Sequence, residues 1–255
     1  MKKSCSTSFV LLVLLASLAA GQTQKSAGTS TAGKQKRAAK LADKLLKFFG
    51  ISDSPGTLKG PSELRSGQIW VAELGSRSTR AITESAGYRS PIFLATSKDI
   101  LALKESEIWR FSAGGSQGKK LYSISGITKL VASSADDPDV VLVLRSAGSS
   151  GHPQVGLLSI STGKVTPEPY DSTSSEDLQM VENLESWDRV YGDKRVYVKR
   201  ETKQAMSGPV EWTDVFQKVN TQEPVDVSRC DGTNCGQPSM SADGRLIVFV
   251  KAEME

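Results

Sequence analysis

Two cysteines, one histidine and two short acidic runs are the residues whose types and spacing could do chemistry in this 255-residue chain. Cys230 and Cys235 bracket Asp231-Gly232-Thr233-Asn234, a run of turn-forming residues that lets two sulfurs meet across a tight hairpin. In an oxidising compartment such a pair forms a disulfide, and so short a loop gains only about 2 kcal/mol from it. Zinc would need four ligands, and the single histidine, His152, lies far away in sequence; neither a metal nor a cofactor is expected. Ser149 and Ser150 beside His152 lack the strand-turn-helix setting of a nucleophile elbow, so a Ser-His hydrolase is not expected either. Asp136-Asp137-Asp139 and Ser175-Glu176-Asp177 do not follow calcium-loop spacing and are expected to be turn formers and solvated loop caps.

The compartment follows from the start of the chain. Lys2 and Lys3 precede an apolar run from Phe9 to Ala20, ending in small residues suited to cleavage, so residues 1–20 are expected to be a secretory signal peptide. The apolar run is too short to span a bilayer. Cys5 lies before that run and leaves with the signal, so the mature protein keeps the even pair Cys230 and Cys235 and is expected to be periplasmic or secreted.

Charge is placed unevenly. Residues 22–60 hold eight Lys or Arg against two Asp or Glu, whereas residues 61–255 carry a net charge of −4. The basic character belongs to the tail, and no nucleic-acid partner is expected for the rest. Residues 21–33, rich in Ser, Thr, Gly and Ala, form a flexible linker. From Lys34 to Gly50 a helical period gathers Leu41, Leu45, Phe48 and Phe49 on one face, with Lys40, Lys44 and Lys47 on the other. Such a cationic amphipathic helix suits an anionic membrane surface or a partner groove, and equally suits packing on the rim of its own domain. Residues 51–66 form a second linker.

Beyond Pro61 the pattern changes to short strands. Ile69-Trp70 and Ile108-Trp109 recur at a spacing of 39 residues, close to the ~40–45 residues of a propeller blade. Two further stretches follow, one holding TKLVASS, DVVLVLRS, QVGLLSI and KVTPEP, the other LQMVENL, RVYVKRE, EWTDVFQKV and PVDVS. Each is expected to supply four strands, with Leu184 to Tyr191 as the candidate for an additional strand of a fifth blade.

The run from Gln237 to Val250, with Pro238, the Asp243-Gly244 turn and an apolar strand after it, resembles the repeat signature of TolB-like β-propellers, relatives of the Trp-Asp-repeat propellers. Gly67 to Thr83, containing Trp70, resembles the strand pair that normally follows that signature; Pro91 and Trp109 sit at the matching positions of the next copy. The resemblance implies an all-β fold: a β-propeller of about four, or five, four-stranded blades over residues 67–250, closed by the termini and preceded by a short amphipathic α-helix, with 251–255 as a tail. It also implies a non-catalytic binding or scaffold protein that engages a protein or envelope component. The alternative is a small propeller hydrolase or lyase acting on polysaccharide or peptide.

Overall fold

A computed structural model describes residue 49 and residues 64–252, less 116 and 148–150. The signal peptide, the linkers before residue 64 and the segment 34–48 lie outside the described residues. Four four-stranded antiparallel sheets carry the fold. Sheet I runs β15 (Cys235–Met240), β16 (Leu246–Lys251), β1 (Gln68–Glu73), β2 (Ser78–Ala81). Sheet II is β3 (Tyr88–Phe93), β4 (Asp99–Lys104), β5 (Glu107–Ser112), β6 (Lys119–Ser123). Sheet III is β7 (Ile127–Ser133), β8 (Val140–Arg145), β9 (Gln154–Ser159), β10 (Val165–Pro167). Sheet IV is β11 (Arg189–Tyr191), β12 (Lys194–Ala205), β13 (Gly208–Val219), β14 (Val225–Asp226). One helix, α1 (Ser175–Glu185), lies between β10 and β11.

Sheets I, II and III stack as blades because the second strand of each is apolar on both faces, whereas β12 of sheet IV buries Val196 alone. Side chains alternate along a strand, so β16 sends Leu246 and Val248 into a core shared with sheet II, and Ile247 and Phe249 into one shared with sheet IV. In β4, Ile100 and Ala102 face sheet I while Leu101 and Leu103 face sheet III. In β8, Val141 and Val143 join the core with sheet II, and Leu142 and Leu144 turn to α1. The result is a stack in the order IV, I, II, III, α1. Sheet I joins the first and last of the described strands, Ile69 pairing with Val250 and Val71 with Val248.

The first strands of sheets I and II share a local device. Pro238 and Pro91 sit at register shifts in β15 and β3, after Gln237 and Ser90 in left-handed conformations (φ 54° and 51°). Proline has no N–H to lose from a ladder, so it is tolerated at a bulge. The bulge frees the Ser90 amide, which donates to Gln237 Oε1 across the sheets at 2.6 Å, while Gln237 Nε2 donates to the Leu64 carbonyl at 2.6 Å. One amide side chain thus links the C-terminal strand, the next sheet and the segment entering β1.

Sheet III carries Lys129 at its register shift. Its buried ammonium donates to the Glu185 and Ser186 carbonyls at 2.7 and 2.8 Å and lies 3.5 Å from the Trp187 ring centre. Buried Arg189 at the start of β11 donates to the Asn183 and Leu184 carbonyls at 2.9 and 2.8 Å. Both cations therefore satisfy orphan carbonyls at the negative end of α1. Burial, and then the Arg189 charge, push the Lys129 ammonium well below the usual lysine range, with Glu185 opposing.

Three expectations are corrected here. LQMVENL is not a strand: it lies in α1, where Ser174 caps the N-terminus and Asp177, Val181 and Leu184 are buried at helical spacing. Ser175-Glu176-Asp177 accordingly forms the first turn of a helix, where carboxylates face the positive end of the dipole, rather than a loop cap. Leu184 to Tyr191 contributes only the short β11 to sheet IV, so the described residues form four blades and not five.

The strand β16 buries Leu246, Ile247, Val248, Phe249 and Val250. At about 1.5–3 kcal/mol for each buried side chain, this is comparable to the whole stability of a domain, about 5–15 kcal/mol. Deleting residues 246–255 is therefore expected to abolish the cooperative thermal transition. Phe249→Ala should retain it with a loss of about 3–5 kcal/mol; a truncated protein that still melts cooperatively as a monomer would show that sheet I is dispensable.

Candidate functional site

Where sheet I meets sheet IV, the turn between β1 and β2 and the turn after β14 face each other across a cleft of about 190 Å³. Buried Ala72 and Val227 and half-buried Leu74 give it an apolar floor. Glu73, Ser78, Gln217 and Asp226 line it with polar groups, and two exposed arginines, Arg77 and Arg229, complete it. Both arginines adopt left-handed backbone conformations, with φ of 53° and 50°. For a side chain of this size that conformation costs about 1–2 kcal/mol, a strain that persists only where the surrounding structure enforces it.

The enforcement at Arg229 is visible in hydrogen bonds. Asp226 Oδ1 accepts from the Ser228 amide at 3.0 Å, the Ser228 hydroxyl at 3.2 Å and the Arg229 amide at 3.0 Å. Asp214, fully buried beneath it, accepts from the Ser228 hydroxyl at 2.9 Å and the Cys230 amide at 2.8 Å through Oδ1, and from Trp212 Nε1 at 2.6 Å through Oδ2. The Cys230–Cys235 disulfide, with Cα atoms 6.2 Å apart, ties the same turn to β15. Burial raises the Asp226 carboxyl above its usual range, helped by the Asp214 charge and opposed by the amides it accepts from.

The lining combines charged, polar and apolar groups. Its guanidinium groups suit a carboxylate or phosphate bidentately, and the apolar floor suits an aliphatic or aromatic side chain between them. Among the described residues no group of three or more His, Cys, Asp or Glu could hold a metal ion.

The residues singled out from the sequence are dispersed. Trp70 and Trp109 occupy the third strands of sheets I and II, their indole nitrogens donating two residues back to Gln68 Oε1 at 3.4 Å and Glu107 Oε2 at 3.0 Å. Asp243 Oδ1 accepts from the Ser241 hydroxyl at 2.6 Å and the Arg245 amide at 3.1 Å, holding the turn in which Gly244 has φ 66°. Of the candidate surface-binding helix, Lys40, Leu41, Lys44, Leu45, Lys47 and Phe48 lie outside the described residues; Phe49 is half-buried against sheet III and α1. The cysteine pair does not line the cleft but shares a core cluster with Ala72 and Val227 of its floor. Arg77 and Arg229 carried no signal in the sequence, because a left-handed turn position is flagged by Gly or Asn and not by Arg.

No protein family matches the chain, and no curated protein does. Among solved structures, a protein assigned as TolB from Agrobacterium tumefaciens aligns over 72% of this chain and 61% of its own, at 16% identity and TM-score 0.34. TolB from Acinetobacter baumannii aligns over 84% of this chain and 50% of its own, at 16% identity and TM-score 0.32. The β-propeller domain of the Trilobed protease from Pyrococcus furiosus, described as having an open velcro topology, covers 82% and 79%, at 14% identity and TM-score 0.27. The chain thus spans about three-fifths and one-half of the two TolB structures.

Because the Asp226 carboxyl is raised in the folded protein, its neutral form is favoured by folding. The sign is fixed by linkage: its contribution is fully present below the unfolded value near 3.8 and is lost as pH rises through the folded value. Asp226→Asn keeps the accepting Oδ1 and removes the charge. It is expected to gain stability relative to the parent as pH rises toward neutrality and to match it in acid, measured as melting temperature against pH; a variant less stable at neutral pH than in acid, relative to the parent, would contradict the assignment.

Proposed function

We propose that this chain is an exported, non-catalytic binding propeller that engages a protein or envelope partner at the cleft between sheets I and IV. The reading is carried by one observation: two exposed arginines held in left-handed turns at opposite walls of a single cleft with an apolar floor. Arginine over a desolvated apolar patch is a recurrent anchor of protein interfaces. The partner chemistry it favours is an extended segment that inserts one apolar side chain between carboxylates.

Export is supported by the n-region and apolar run of residues 1–20 and by the disulfide that the mature cysteine pair forms. Intact-mass analysis of material recovered outside the cytoplasm is expected to show a chain starting between Ala20 and Gln22, with no mass added by thiol-blocking reagent. A retained leader, or two reactive thiols, overturns export.

The binding site is tested by a photo-crosslinking amino acid placed at Leu74 in cells. A discrete adduct is expected there and not from the same group at Lys120 on β6. Arg77→Glu with Arg229→Glu should cut its yield about tenfold or more, the scale of an arginine hot spot. Absence of an adduct at Leu74, or one unaffected by the charge reversal, sinks the cleft as the binding site; turnover of peptide or polysaccharide that disappears with the same variant would replace binding by hydrolysis or lysis.

A further inference from the structure

The face of sheet III that turns away from sheet II is covered by a helix. Val131, Leu142, Leu144 and Val155 form a cluster there with Val181 and Leu184 of α1. Phe49, the last apolar residue of the cationic segment read from the sequence, packs on this same cluster beside Tyr170 and Met180. The helix itself is acidic: its residues include Glu176, Asp177, Glu182 and Glu185 and no Lys or Arg, and three of the four carboxylates are exposed.

The fourth carboxylate has an unmet need. Asp177 is 3% exposed, and its Oδ2 accepts from the Asp171 amide at 2.7 Å. Its Oδ1 is buried with no hydrogen-bond partner among the described residues. A buried carboxylate oxygen without a donor is costly, and no donor among the described residues reaches this one. Segment 34–49 holds six Lys or Arg against the single Asp43, the opposite sign to α1, and its end is already seated on the cluster. Tethering makes such a contact intramolecular and raises its effective concentration.

We propose that the segment from Lys34 to Phe49 docks on this face of its own protein, with its apolar residues on the cluster between α1 and sheet III and its lysines against the α1 carboxylates. The same lysines are those that would meet an anionic membrane, so the two contacts compete, and α1 is the internal competitor.

Hydrogen exchange by mass spectrometry on the mature full-length protein decides this. Amides of residues 38–49 are expected to exchange about tenfold more slowly than in a free peptide of residues 34–50, the scale of a few partly screened ion pairs with apolar contact. Glu176→Lys with Glu182→Lys and Glu185→Lys should remove that protection, and adding Lys40→Glu, Lys44→Glu and Lys47→Glu should restore it. Phe49→Ala, which leaves α1 untouched, should also remove it, while β4 and β16 exchange as in the parent in every variant. Peptide-like exchange in the parent overturns the proposal, as does protection that ignores the α1 reversal. Slowing seen only when vesicles of phosphatidylcholine with phosphatidylserine are added assigns the segment to the membrane instead.

Discussion

The pairing of β1 with β16 is the constraint on which the rest of this structure depends. Sheet I takes its two middle strands from opposite ends of the chain, six residue pairs in unbroken antiparallel register from Gln68–Lys251 to Glu73–Leu246. Apart from that ladder, β15 and β16 would face solvent as one unpaired edge and β1 and β2 as another, and an unpaired edge recruits other chains. Because β16 is apolar on both faces, the same ladder positions the cores on either side of it: Val248 with sheet II and Phe249 with sheet IV. Local contacts alone would leave sheets II and IV as separate units; the long-range ladder gives these two a common neighbour, and sheet III joins the stack through sheet II.

Between the sheets, apolar cores do the stabilising and a few polar links set the registration. Arg80 of β2 donates to the Ala113 carbonyl, Arg89 of β3 to the carbonyls at Ile127 and Thr128, Tyr122 of β6 to the Ser161 carbonyl and Lys194 of β12 to the Gly244 carbonyl. Each joins one sheet to backbone of the next. A side chain bonded to a carbonyl fixes position without a buried charge pair, whose desolvation would offset its attraction. Sheet III departs from this scheme, because the element beyond it is α1 rather than a sheet. Lys129 and Arg189 meet there on carbonyls at one helix end, which carries the partial negative charge that a pair of neighbouring cations needs.

The cleft lies at the seam that the joined ends create. One wall is the β1–β2 turn, whose place depends on the ladder with β16; the other is the turn after β14, held by Asp226, Ser228, Asp214 and the disulfide. Asp214 and Asp226 sit close enough for one charge to raise the other's carboxyl, and the Ser228 hydroxyl between them donates to both. This rigid acidic support fixes the Arg229 backbone in a conformation that arginine rarely adopts, so the guanidinium is presented without the entropy cost of ordering a loose loop.

Most strands of sheets I to III were legible in the sequence: the spacing of Trp70 and Trp109, the Asp243-Gly244 turn and the alternating apolar runs are local features with local physical causes. It also placed the two half-blades at the chain's ends and the disulfide at Cys230 and Cys235. It misassigned LQMVENL, because a short apolar run has no period long enough to separate strand from helix, and the buried set Asp177, Val181 and Leu184 includes a carboxylate that counts as polar in any pattern. The juxtaposition of distant segments, by contrast, arises from packing between sheets. Arg77 and Arg229 are 152 residues apart and share a cleft because sheets I and IV pack through Phe249; Lys129 and Arg189 share a helix terminus for the same kind of reason; and Phe49 reaches sheet III at a cluster drawn from β7, β8, β9 and α1. Side-chain type and spacing encode elements, whereas a site assembled across a stack of sheets is encoded in which faces are buried together, and that becomes legible only once the chain's two ends have met.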